Sequence, residues 1–120
     1  MLRFALIPLL PILATPIAFA DGFECSGQNP DWQLSFDSQQ ARFTFPSPTD
    51  MDVMLQTKAE GREWPRAYTL IGDRDTAIVL LDPVACSNGT HSANVLTQRG
   101  TTAILLAGCC EQRLGPIQRL

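Results

Sequence analysis

The chain carries a single histidine, no C-x-x-C pair, no glycine-rich phosphate loop, no Ser in a G-x-S-x-G turn and no zinc-ligand spacing. Each absence removes a class of chemistry. Without the phosphate loop or the nucleophile turn, nucleotide hydrolysis and serine-type acyl transfer lose their usual scaffolds. The lone His91 sits in Ser87-Asn88-Gly89-Thr90-His91-Ser92, where no carboxylate stands at ligand spacing, so it reads as a solvated loop histidine. Basic runs are missing too. Arg42, Arg62, Arg66, Arg74, Arg99 and Arg113 fall in separate segments, and the net charge is −3, which excludes the basic footprint that nucleic acid requires. Apolar residues nowhere hold a 3.6-residue period for long, and no internal repeat is visible, so helical bundles and solenoids drop out.

What the chain does have begins at its N-terminus. Arg3 is followed by an apolar run from Phe4 to Phe19 that closes on Ala18-Phe19-Ala20, ahead of Asp21. A basic start, an apolar middle and an A-x-A ending predict a secretory signal peptide over residues 1–20. The run is short for a membrane span and holds Pro8, Pro11 and Pro16, so no stable span is expected after cleavage. Cys25 follows Gly22-Phe23-Glu24, which is not a lipidation context. Residues 21–120 then suit one exported domain with a single core.

Four cysteines in a short exported chain predict two disulfides. Cys109 and Cys110 end the apolar run from Thr102, and in a strand adjacent side chains point to opposite faces. Their Cα atoms are too close for an easy bond to each other, so each needs a remote partner. Three connectivities are possible. Cys25 to Cys110 with Cys86 to Cys109 is favoured because each joins distant segments; the alternative exchanges Cys109 with Cys110. In the chain-entropy model the longer loop contributes about 4 kcal/mol and the shorter about 3 kcal/mol.

Period-two alternation marks the strands. Trp32, Leu34 and Phe36 alternate with Gln33 and Ser35; Ala41, Phe43 and Phe45 alternate with Arg42 and Thr44. A third run, Met51 to Thr57, is blurred by Met54, and its Met51, Met54, Leu55 and Lys58 would also share a helical face. Pro65 defers the next strand until just after it, and Thr76 to Leu81, apolar throughout, reads as a central strand. Residues 82–92 form the long irregular stretch. Residues 93–97 and 101 onward form a hairpin about Gly100, while Gly108 marks a bulge that aims the cysteines and Glu111–Leu120 forms a loose tail. The expectation is all-β: seven or eight short strands in a small antiparallel barrel or sandwich, with closure favoured because it removes sheet edges.

Cys109-Cys110 also permits a thiol oxidoreductase or, with His91, a metal-handling protein. Structural bridging is the stronger reading, because the pair ends an apolar strand with Glu111 behind it rather than opening a helix. Asp50 with Asp52, and Asp73 with Asp75, are acidic pairs, the second in a turn where Asp is simply a good former. Asn88-Gly89-Thr90 matches a glycosylation acceptor, which matters only in a eukaryote, and otherwise reads as a turn.

Cys25-x-Gly27-x-x-Pro30-x-Trp32-x-Leu34, then Ala41-Arg42-Phe43 and Leu106-x-Gly108-Cys109, resembles a family of proteobacterial envelope proteins with a Gly-Asn-Glu-Pro-Phe-Trp type motif near the start and Gly-Cys near the end. Here Asp31 stands where an aromatic is usual, and Cys110 is extra. That family is similar to META domains and to periplasmic inhibitors of C-type lysozyme, which implies a lipocalin-like barrel in a bacterial periplasm. The resemblance also supports pairing Cys86 with Cys109. The inhibitors' own signature is incomplete: Ser26-Gly27 has no Tyr close behind, and Lys58 follows Thr57 but precedes Ala59. Independently of any family, Gly27 and Pro30 make a corner from which Trp32 plugs the barrel end, its N–H in need of a partner. The functional expectation is a non-enzymatic periplasmic protein without cofactor or metal, acting on an envelope or extracellular partner or the cell wall; oligomeric state is not legible.

Overall fold

The computed structural model describes residues 20–114, so most of the expected signal peptide, and residues 115–120 of the tail, lie outside the described residues. Eight strands follow one another: β1 (Ala20–Gly27), β2 (Trp32–Asp37), β3 (Gln40–Thr44), β4 (Pro48–Lys58), β5 (Arg66–Ile71), β6 (Thr76–Asp82), β7 (His91–Arg99) and β8 (Thr102–Leu114). Each pairs antiparallel with its sequence neighbour, and β1 closes on β8 to complete the barrel. The apolar alternation dictates this closure. One face of every strand needs a core, and rolling the sheet lets all eight share a single one.

Local chemistry sets the corners. Asp37 turns β2 into β3 because its Oδ1 accepts the backbone N–H groups of Gln39 and Gln40, both at 2.8 Å. The Gly72 N–H donates to the Asp75 carbonyl at 2.8 Å between β5 and β6. Gly100 joins β7 to β8 at φ 61°, a conformation that costs other residues a Cβ clash. Cys86 and Gly89 bond each other across Ser87-Asn88, so the acceptor-like Asn88-Gly89-Thr90 is a tight exposed turn.

The interior is filled by side chains from all eight strands, among them Phe36, Phe43, Leu34, Met51, Leu70 and Leu106. The ambiguity around Met54 has a structural cause. The β4–β5 register shifts between Val53 and Leu55, so an inserted residue breaks the alternation and imitates helical spacing. Met51 to Lys58 is strand.

Several expectations are corrected. Thr76 to Leu81 is not buried on both faces: Ala77, Val79 and Leu81 point inward while Ile78 and Leu80 remain 41% and 43% exposed. Gly108 marks no bulge, since the β7–β8 register runs unbroken from Arg99↔Thr102 to His91↔Cys110. The tail is not loose from Glu111; β8 continues to Leu114 against β1.

Candidate functional site

The four cysteines form two disulfides, Cys25–Cys110 and Cys86–Cys109. Cys25 and Cys110 oppose each other on β1 and β8, and their bond lies inside the barrel at 4% and 0% exposure. Cys109 points outward and is covered by the loop between β6 and β7, which Cys86 and a Thr90 N–H to Cys110 carbonyl bond of 3.0 Å hold against β8. One bond thus locks the barrel seam and the other clamps a loop over it. Such bonds place the folded domain in an oxidising, extracytoplasmic compartment.

At the end of β1 the chain turns through Gln28-Asn29-Pro30-Asp31 and returns with Trp32 fully inside. The β1–β8 ladder stops at Ser26↔Cys109, and just beyond it the Trp32 indole N–H donates to the Ala107 carbonyl at 3.2 Å. The ring occupies a slot between two glycines. A Cβ on Gly27 would overlap the indole nitrogen, and one on Gly108 would overlap the ring edge and the Ser26 carbonyl. Gly27, Trp32 and Gly108 are therefore one packing unit, with Pro30 exposed in the turn that serves it.

The chemistry-bearing side chains gather at the other end of the barrel, around the β4–β5 loop. Trp64 lies over that mouth with its ring 5.0 Å from His91, and Arg66 stacks on the indole at 4.1 Å. Glu63 bridges Lys58 at 2.9 Å and Arg66 at 3.2 Å. The Lys58 hydrogen bond, followed by its charge, holds the Glu63 carboxyl below the usual range. Tyr68 stands beneath them at 7% exposure, its phenol pushed up by burial against the opposing effect of Arg66.

His91 belongs to this mouth and is not a solvated loop residue. It opens β7, is 7% exposed and packs edge-on to Phe23 at 5.0 Å, with Thr90 Oγ1 2.8 Å from its Nδ1. Burial, then the nearby Arg66 charge, lowers its pKa. Its place among Phe23 and Trp64 thus favours the neutral ring over the charged one. Among the described residues no group of three or more His, Cys, Asp or Glu could hold a metal ion.

The third feature is on the outer wall. Leu55, Thr69, Ile78, Leu96 and Leu105 stand directly across from one another on β4 to β8. The four apolar members of this row are 68%, 41%, 46% and 67% exposed, and the adjoining row Thr57, Ala67, Leu80, Asn94 and Ala107 carries no charge either. Sequence reasoning missed this wall. Its apolar residues interleave with core residues in Thr76–Leu81 and Thr102–Leu106 and look like continuous core.

Of the acidic pairs, Asp50 faces Arg42 at 4.0 Å and Asp75 binds Arg99, so they work with separate partners. No described helix is long and apolar enough to cross a membrane. Comparison of the chain with family models, with curated proteins and with solved structures finds no match.

Proposed function

We propose that this protein is a non-enzymatic β-barrel of the bacterial periplasm, exported by the residue 1–20 signal, that works by contact with another envelope or extracellular protein or with the cell wall. The observation that carries the reading is the uncharged row Leu55–Thr69–Ile78–Leu96–Leu105, five strands wide on the outside of a barrel whose inside is already full. A wall of exposed leucine and isoleucine is a cost that a lone soluble domain avoids, and it fits a surface that is covered in use. The interior is filled by the barrel's own side chains, among them Phe36, Phe43, Leu34 and Met51. Kinship with small envelope barrels, carried by Cys25-x-Gly27-x-x-Pro30-x-Trp32, belongs to the same proposal.

The test is capture from envelope extract and on purified cell-wall sacculi, with C-type lysozymes assayed in parallel for inhibition. The oxidised protein retains a partner, and the Leu96→Asp, Leu105→Asp variant, altered only on the outer wall, does not. Failure to retain any partner, wall or lysozyme removes the proposal. A thiol oxidoreductase built on Cys109 and Cys110 is the competing reading; it requires one of these sulfurs to react in the native protein, and thiol titration of the native, unreduced protein decides it, four unreactive sulfurs ending it.

A further inference from the structure

We propose that the edge of β4 from Met54 to Lys58 is a strand-addition site that takes an extended segment of a partner protein, apolar on one face and acidic on the other; this rests on the contact-protein reading and names a kind of partner. The barrel is closed, but β4 outruns β3. Their ladder ends at Gln40↔Asp52, with one further bond from the Val53 N–H to the Gln39 carbonyl at 3.0 Å. From there to Lys58, β4 is paired, among the described residues, only with β5, and the five residues from Met54 to Lys58 are exposed.

The phase of the free edge follows from the loop that closes it. The Ala59 N–H donates to the Pro65 carbonyl at 2.9 Å, so Ala59 faces β5. Alternation then turns Thr57 and Leu55 to β5 as well, and aims the N–H and C=O groups of Gln56 and Lys58 at the open side. On that side, among the described residues, a 3.4 Å contact from the Thr57 hydroxyl to the Lys58 carbonyl is the one bond recorded. A strand edge of this kind is a template for another strand.

Natural edges are usually guarded by an outstretched lysine, a proline or a covering loop. Here no proline occurs between Met54 and Lys58, and the Lys58 ammonium is drawn back onto Glu63 at 2.9 Å. Met54 and Leu55 stand 57% and 68% exposed beside the free backbone groups.

Charge selects the occupant. On one face of the edge, Gln56 and Lys58 lie across from Tyr68 and Arg66, and these four with Thr57 and Glu63 line a pocket of about 260 Å³. Two cations against one carboxylate leave a positive surplus there, on a chain whose net charge is −3. The opposite face presents Leu55 and the apolar wall. An incoming strand alternates its side chains between these faces, so apolar and acidic residues in alternation match both. A second copy fits worse: antiparallel pairing of two such short edges brings two Lys58–Arg66 surpluses together.

The probes are two peptides of equal length, one alternating valine with glutamate and the other valine with lysine, titrated into the oxidised, isotope-labelled protein. The glutamate peptide shifts the Gln56 and Lys58 amide resonances and slows their hydrogen exchange, and Lys58→Gln weakens its binding about threefold. Arg74→Gln, exposed in the β5–β6 turn at the opposite end of the barrel, leaves that binding unchanged. The proposal is overturned if neither peptide protects those amides, if the lysine peptide binds as well, or if the same amides are protected by a concentration-dependent dimer. A partner captured through Leu96 and Leu105 alongside such a failure leaves the outer-wall reading intact, so the two fail separately.

Discussion

The Trp32 indole donates its N–H to the Ala107 carbonyl at 3.2 Å, joining residues 75 apart in sequence where β1 has ended and β8 runs on. The carbonyl sits on an edge that β1 no longer covers, and the indole both bonds it and shields it. Trp32→Phe keeps most of the ring and removes the donor, so urea unfolding is expected to show a loss of about 1–2 kcal/mol. Gly108→Ala is expected to cost more, because the added methyl meets the Ser26 carbonyl and the ring edge together. An unfolding midpoint unchanged by both substitutions would dismiss the slot.

The two disulfides differ in access. Cys25 and Cys110 are enclosed by the core, whereas Cys86 lies half-buried in a loop. Graded reduction, followed by alkylation and mass spectrometry, is expected to open Cys86–Cys109 first and leave Cys25–Cys110 intact until the barrel unfolds. Cys86→Ser with Cys109→Ser should retain the strand spectrum while losing about 3 kcal/mol, and Cys25→Ser with Cys110→Ser should lose more. Simultaneous reduction of both bonds in the folded state would contradict this order.

Much of this architecture is written locally. Trp32, Leu34 and Phe36 alternate with polar residues, so their strand and its inner face can be read directly, and so can the need of Cys109 and Cys110 for partners on opposite faces. Legibility fails where two signals overlap. Ile78, Leu80, Leu96 and Leu105 are apolar on the outside, which erases the alternation that would have revealed two faces. The inserted residue near Met54 scrambles the period in the same way. His91 was opaque for another reason: its burial comes from Phe23, at the chain's start, and Trp64, in a different loop, and no local pattern encodes a meeting made by barrel closure.

His91 also confers a pH dependence. Burial first, and the Arg66 charge second, depress its pKa from 6.5. Between the lowered folded value and 6.5 the unfolded chain binds a proton that the folded chain refuses, so stability rises with pH through that window. It is fully present above 6.5 and is lost as pH falls to the folded value, below which the effect levels off. Urea midpoints measured from pH 4 to 8, with His91→Gln as the flat reference for this term, provide the check; equal slopes for the two proteins would mean that His91 contributes nothing.

Arg99 is the latch of the end that carries the β7–β8 turn. Its Nη1 lies 3.4 Å from both carboxylate oxygens of Asp75 in the β5–β6 turn, and its Nη2 donates to the Phe45 carbonyl at the β3–β4 turn. The guanidinium lies 5.1 Å from the Phe45 ring centre and 5.9 Å from that of Phe43, while the Thr49 hydroxyl adds a 3.4 Å bond to Asp75. One planar group therefore ties three chain segments, and the geometry needs donors pointing in two directions at once. Lysine supplies charge and reach but no fork, so Arg99→Lys is expected to recover only part of what Arg99→Ala loses, about 1 kcal/mol of a total of about 2–3 kcal/mol. Amide exchange should quicken at Gly72 and Phe45 in both variants, because both turns lose the same anchor. If Arg99→Lys matches the parent in stability and exchange, the charge alone suffices and the fork has no role.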